Sequence, residues 1–119
     1  MSAEDITIDG VVVKELVLYK DERGWLTELF RDDEIDGAVR PAMSYVSMTE
    51  AGVARGPHEH KDQTDYFCFV GPSTFRIYLW DNRGDNRGDS KNKMVFEGGS
   101  ERPLMVIVPP GVVHAYKNV

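Results

Sequence analysis

Hydrophobic and polar positions alternate most clearly over Phe75-Arg76-Ile77-Tyr78-Leu79-Trp80. That pattern predicts a strand with Phe75, Ile77 and Leu79 on one face and Arg76, Tyr78 and Trp80 on the other. Residues 11–13, 16–19, 25–30, 44–48, 65–70 and 104–108 are similarly short and rich in β-branched or aromatic side chains, which also predicts strands. Turn chemistry separates them. Residues 21–24, 71–73, 98–100 and 109–111 supply the Gly, Pro and Ser that chain reversals favour. The best helical candidate is 32–39, short and weakly periodic. Many short strands without a long helix predict an all-β sandwich or barrel, and a barrel also removes exposed sheet edges.

The stretch 81–89 repeats Asp-Asn-Arg-Gly once and contains no apolar residue, so it reads as a long hairpin loop. Its carboxylates do not match a calcium loop in spacing, and two Arg oppose a cation. Arg-Gly-Asp occurs twice within it and is read as chance, since nothing in the chain signals export.

At 119 residues one domain, 1–119, is expected. Fourteen basic against twenty acidic side chains give a net charge of −6, which argues against a nucleic-acid or anionic-membrane partner. An anionic small ligand then needs a local group of Arg. Cys68 is the one cysteine, so an internal disulfide is excluded and a buried thiol in a reducing cytoplasm is expected. The N-terminus lacks the pattern of a signal peptide, and nowhere do eighteen apolar residues run together.

The three histidines fall in two segments, one ending Arg55-Gly56-Pro57-His58-Glu59-His60 and the other Pro109-Pro110-Gly111-Val112-Val113-His114. On a strand, His58 and His60 would project from one face. Asp65 follows at the start of the next predicted strand, and the Pro-Pro-Gly turn feeds His114 onto another. A closed barrel would bring all four side chains to one interior point.

These residues resemble the cupin pattern, with Gly52, His58, His60 and Asp65 filling its first half and Pro109, Gly111, His114 and Asn118 its second. Asp65 stands where Glu is usual. The resemblance implies a cupin-type double-stranded β-helix, or jelly roll. Within cupins, Asp21-Glu22-Arg23-Gly24-Trp25-Leu26-Thr27-Glu28-Leu29-Phe30 and Arg55-Gly56-Pro57-His58 resemble the dTDP-4-dehydrorhamnose 3,5-epimerase family, in a related, divergent branch. That likeness implies a sugar-nucleotide epimerase of dTDP-rhamnose-type carbohydrate metabolism that needs no cofactor and pairs as a homodimer, with Trp25 and Phe30 near the interface. It implies His58 as base, with His60 and His114 completing the catalytic set, and Arg23, Glu28, Arg55, Asp65 and Tyr116 contacting the nucleotide sugar. The family places Lys where Asp65 stands, and its tyrosine acid and the aspartate behind its histidine lie beyond Val119. Tyr116 or Tyr66 can replace that acid only if aimed inward, and the chain is expected to be a truncated or reduced form lacking the C-terminal strands of the full domain.

Epimerisation beside a ketone needs a base with pKa near 7 and a way to stabilise the enolate, which suits histidine. Two Arg gripping phosphate oxygens would hold the nucleotide. Three alternatives stay open. One is a 3,4-ketoisomerase, whose His-x-His-Lys segment resembles His58-Glu59-His60-Lys61. Another is a metal cupin holding Zn, Mn, Fe or Ni on His58, His60, Asp65 and His114. The third is a non-catalytic sugar or nucleotide binder. The aromatics Phe67, Phe69, Phe75, Tyr78 and Trp80 are read chiefly as barrel packing.

Overall fold

The computed structural model describes residues 8–84 and 92–119. Their strands run, in chain order, as β1 (Val12–Glu15), β2 (Tyr19–Asp21), β3 (Gly24–Leu26), β4 (Ala54–His58), β5 (Asp65–Phe69), β6 (Thr74–Asp81), β7 (Lys93–Gly99), β8 (Leu104–Val108) and β9 (Val112–Asn118). A three-stranded sheet has the order β1-β8-β5, and a four-stranded sheet the order β4-β9-β6-β7. β2 and β3 form a separate two-stranded hairpin. Every pairing is antiparallel. This is the expected all-β jelly-roll barrel.

The core sits between the two sheets. Ile77 and Leu79 of β6, Met94 and Phe96 of β7, and Leu104, Val106 and Val108 of β8 are buried together with Phe69, Val112, Ile8 and Val11. Burying each such aliphatic side chain contributes roughly 1.5–3 kcal/mol. The alternation expected along β6 is present, since Ile77 and Leu79 are buried while Tyr78 and Trp80 are only half-buried. Gly98 of β7 faces Leu104 so closely that a Cβ would lie 2.6 Å from Leu104 Cδ1, so a side chain here would push the sheets apart.

Five expectations need correction. Of the strand expected over 16–19, only Tyr19 is paired, since residues 16–18 form the connection between β1 and β2. Residues 44–48 carry a strand-like composition but form no strand, and Met43, Tyr45, Val46 and Met48 lie 72–98% exposed. The helix expected over 32–39 is a single 3-10 turn at Gly37–Val39, capped by the Asp36 carboxylate accepting from the Ala38 N–H. Too few apolar positions on one side give it nothing to pack on. The strand expected over 25–30 ends at Leu26, with Leu29 and Phe30 exposed. Cys68, expected buried, is half-buried and free. The loop expected over 81–89 is bounded by β6 and β7 as a hairpin connection, but residues 85–91, including the second copy of the repeat, lie outside the described residues. No helix of the described residues is long and apolar enough to cross a membrane.

Candidate active site

β4 and β9 lie side by side, with His58 directly opposite His114 and Arg55 opposite Tyr116. Opposed residues of an antiparallel pair share a face, so the two strands present Arg55, His58, His114 and Tyr116 on one side. On β9 that side faces the barrel interior, because Tyr116 packs its ring against Phe67, Phe69 and Phe75 at 5.4–5.8 Å between centroids, while Arg55 and His58 on the edge strand stay exposed. The sheet needs close backbone approach here. Gly56, at φ +95°, has room for no Cβ, which would stand 2.8 Å from the His114 carbonyl oxygen.

His60 reaches the same point by a different route from the expected one. β4 ends at His58, so His60 is not the next same-face position of a strand but part of the following loop. The Pro109-Pro110-Gly111 turn holds it there. The Gly111 N–H donates to the His60 carbonyl oxygen at 2.9 Å, with Gly111 at φ +84°. The Asn82 amide donates to Glu59 at 2.8 Å and ties the same loop to the end of β6.

The carboxylate of Asp65, first residue of β5, is the hub. Its Oδ2 lies 3.0 Å from His60 Nε2 and 3.3 Å from His114 Nε2, while its Oδ1 accepts from Gln63 Nε2 at 2.7 Å. A carboxylate only accepts, so either imidazole can hydrogen-bond it only through a protonated Nε2. The rings of His60 and His114 are 5.5 Å apart, and that of His58 is 6.0 Å from His114. Phe67 closes the wall at 5.2 Å from the His114 ring.

The three histidines differ in setting. His114 is 5% exposed, and its Nδ1 is buried with no hydrogen-bond partner. Burial pulls its pKa below the usual imidazole value, with Asp65 acting in the opposite direction. His60 is more than a third exposed. His58 is exposed and makes no side-chain hydrogen bond among the described residues.

Other expected residues divide. Tyr116 points inward, whereas Tyr66 points out, its hydroxyl donating to the Leu29 carbonyl oxygen at 2.8 Å and its ring 6.1 Å from Phe30. Arg55 lies beside the cavity but is engaged, with Nε donating to Thr49 Oγ1 at 2.7 Å and a terminal nitrogen to the Met48 carbonyl oxygen at 2.6 Å. Arg23 and Glu28 are not brought to the histidines. Arg23 is bidentate to Asp21 at the tip of the hairpin and 85% exposed, and Glu28 pairs with Arg31. Asn118 of the second motif half is structural, its amide donating to the Thr49 carbonyl oxygen at 2.8 Å. Two contributors escaped the sequence reading. Gln63 was detectable as the polar side chain two residues before Asp65, and Asn82 had no local signal.

A divalent ion would find His60, Asp65 and His114, whose ligand atoms all lie within 4.8 Å of one another. His58 stands outside that set, so the expected four ligands converge as three. Two imidazoles and a carboxylate match a known facial donor set.

No family model matches the chain. It is 33% identical over 110 residues to the spore coat polysaccharide biosynthesis protein SpsL of Bacillus subtilis, covering 92% of this chain and 71% of that protein. A probable low-salt glycan biosynthesis epimerase of Haloferax volcanii is 35% identical over 117 residues, covering 94% and 71%. Among solved structures, the 3'-monoepimerase ChmJ of Streptomyces bikiniensis in complex with dTDP-quinovose superposes with a TM-score of 0.77 at 24% identity. It is matched over 95% of this chain and 60% of its own length. The dTDP-4-dehydrorhamnose 3,5-epimerase of Sulfolobus tokodaii gives 0.75 at 22% identity, over 92% and 64%. The chain thus spans less than two thirds of these solved enzymes, and at such identity they establish the fold. The two sequence relatives carry the rest: the chain belongs to one family with these polysaccharide- and glycan-biosynthesis proteins, on the cupin fold it shares with the dTDP-4-dehydrorhamnose 3,5-epimerases.

Proposed function

We propose that the chain is an isomerase that epimerises a nucleotide-linked 4-keto sugar at a carbon beside the ketone. The observation that carries this reading is the meeting of His60, His114 and Asp65 beside Phe67, with the exposed His58 ring 6.0 Å from that of His114. Removing a C–H proton next to a ketone leaves an enolate. The reaction needs a base poised near neutrality, a shielded pocket and an acid that returns the proton to the other face.

An imidazole of the cluster takes the proton, and Asp65 holds the imidazoles in one tautomer. Tyr116, inward-facing two residues beyond His114, is the phenol we assign as the acid that gives a proton back. The wrong sign of Asp65 next to an enolate is relieved, because both of its oxygens are already engaged, Oδ2 by His60 and His114 and Oδ1 by Gln63. No cofactor enters this chemistry. A dTDP sugar of the rhamnose pathway type is the substrate class we favour, since the solved enzymes that share the fold are described with dTDP sugars or act on them.

The partner is a second copy of the chain, forming a homodimer. Met43, Tyr45, Val46 and Met48 are 72–98% exposed on a segment with no strand partner among the described residues, tied at Met48 to Arg55 of β4, which pairs on one side only. The open edge of β4 is a site for strand addition, and the exposed apolar residues beside it offer a surface to cover. A lone half-buried thiol suits a reducing compartment, and we place the chain in the cytoplasm on that ground. The net charge of −6 gives no footprint for nucleic acid or an anionic membrane.

Chromatography of a dTDP-4-keto-6-deoxyhexose incubated with the protein tests the reading. Conversion to an epimer, lost in His58→Ala, His60→Ala or His114→Ala, is expected. Binding without conversion would make the protein a binder, and movement of the keto group to C-3 would make it a ketoisomerase. A second reading, a divalent metal centre, is favoured by the convergence of His60, Asp65 and His114. It predicts stoichiometric metal in the purified protein that His60→Ala abolishes.

A further inference from the structure

We infer that Asn82 is a positioning residue of the active site, which sets the His60 ring against Asp65 by holding Glu59 and the Pro109-Pro110-Gly111 turn together. The inference rests on the epimerase reading and adds to it a residue outside both histidine segments. His114 is placed by the sheet itself, opposite His58 of β4 and opposite Leu79 of β6. His60 lies two residues beyond the end of β4 and outside that ladder. A functional side chain on a loop is only as well placed as the contacts that support its backbone.

Those contacts form a closed ring. The Asn82 backbone N–H donates to the Gly111 carbonyl oxygen at 3.0 Å, and the Gly111 N–H donates in turn to the His60 carbonyl oxygen at 2.9 Å. The Asn82 amide donates to Glu59 Oε1 at 2.8 Å, and Glu59 precedes His60 in the chain. Asn82 thus grips His60 by two routes, through the turn and through its neighbour. Asn82 is itself anchored. The next residue, Arg83, donates to both oxygens of the Asp81 carboxylate, which is 2% exposed, and to the Asp9 carbonyl oxygen at 2.6 Å. The Arg83 side chain also fills the space beside Gly111, where a Cβ would stand 2.5 Å from Arg83 Cγ. Turn and loop are therefore both registered against the end of β6.

The placement matters chemically because of the sign of Asp65. In the epimerase reading that carboxylate is an anion near a developing enolate, and its Oδ2 is engaged by His60 at 3.0 Å and by His114 at 3.3 Å. Fixed charges and donors near the reacting atoms act most strongly where charge develops, in the transition state. A His60 ring that swings away leaves Oδ2 with one donor fewer and makes the enolate harder to form. The loss then falls on kcat and leaves KM nearly as it was. Glu59 and Asn82 act on the reaction only through His60.

Exchanging donor and acceptor across the Glu59–Asn82 contact tests this, with steady-state kinetics on a dTDP-4-keto-6-deoxyhexose. Asn82→Asp sets two carboxylates against each other and should lower kcat about tenfold with KM within about twofold. Glu59→Gln still accepts from the Asn82 amide and should keep kcat within about twofold. Combining Glu59→Gln with Asn82→Asp lets the new amide donate to the new carboxylate, and kcat should return to within about threefold of wild type. Asn82→Ala removes the bond without adding charge; it should lower kcat several-fold and carries the comparison if Asn82→Asp folds poorly. The His60 and His114 rings lie 5.5 Å apart, so an NOE cross-peak between their protons should be present, weaken in Asn82→Asp and return in the double variant. A wild-type protein without turnover overturns the epimerase reading and the inference with it. An active wild type whose kcat and ring cross-peak are indifferent to Asn82→Asp and Asn82→Ala, or a double variant no better than Asn82→Asp alone, overturns the inference and leaves the epimerase reading standing.

Discussion

The barrel and the N-terminal third use the same kind of residue in opposite ways. Strands β5 to β9 turn Ile77, Leu79, Phe96, Leu104 and Val106 inward until each is 0–7% exposed. Residues 12–48 leave Tyr19, Trp25, Leu26, Leu29, Phe30, Met43, Tyr45, Val46 and Met48 at 44–98% exposure. Single exposed apolar residues need no explanation, but a concentration in one third of the chain does. The contrast teaches that the same residue types make a core where two sheets face each other and stay at the surface where the described residues supply no facing layer. The site follows the same division. His60, Asp65 and His114 are mutually held within the barrel, whereas Arg23 and Glu28 sit on the exposed hairpin and the segment after it, tied only to Asp21 and Arg31.

The largest test of that contrast is in the core. Ile77→Ala, at a position 2% exposed between the sheets, should cost about 2–5 kcal/mol in denaturant unfolding, against a change within about 0.5 kcal/mol for an exposed substitution such as Val46→Ser. Comparable losses at both would erase the difference between the regions. Next comes Gly56→Ala. With φ at +95° and its Cβ 2.8 Å from the His114 carbonyl oxygen, it should destabilise by about 1–3 kcal/mol and weaken turnover, because β4 and β9 carry His58 and His114 as a pair. In sedimentation equilibrium, Val46→Asp should convert a dimer to a monomer with the unfolding midpoint of the barrel nearly unchanged. A monomeric wild type would remove the need for a partner surface.

Two smaller effects probe the barrel alone. Burial holds the His114 pKa below 6.5, so the unfolded chain binds a proton there more readily than the folded one. Stability contributed by keeping this ring neutral is therefore present above about pH 6.5 and declines as pH falls below it. The melting temperature should drop on acidification through that window, and less in His114→Asn. Cys68 is the mildest case. Burial pushes its thiol pKa up to about 11, so it stays protonated and should react with a thiol reagent at pH 8 far more slowly than a free cysteine.

Much of this organisation is legible in the sequence, for reasons particular to each part. β6 announces itself because its two faces have different partners, giving clean alternation. β7 hides because Val95 is apolar yet 51% exposed, which blurs the period over Lys93–Gly99. Residues 44–48 look like a strand because β propensity is local, whereas pairing depends on a neighbour. The histidine cluster is visible as two motif halves, and the structure brings them together. Its inner logic is not visible, because which imidazole faces Asp65 depends on the loop after β4 rather than on strand alternation. That loop is set by contacts from Gly111 and Asn82, far away in the chain.

The most direct measurement is proton exchange at the substrate. With a dTDP-4-keto-6-deoxyhexose in heavy water, wild-type protein should place deuterium on a carbon flanking the ketone, seen as loss of that proton's NMR signal, and Asp65→Asn should slow the loss by a hundredfold or so. Bound sugar that keeps all its carbon-bound protons through a long incubation would contradict the account.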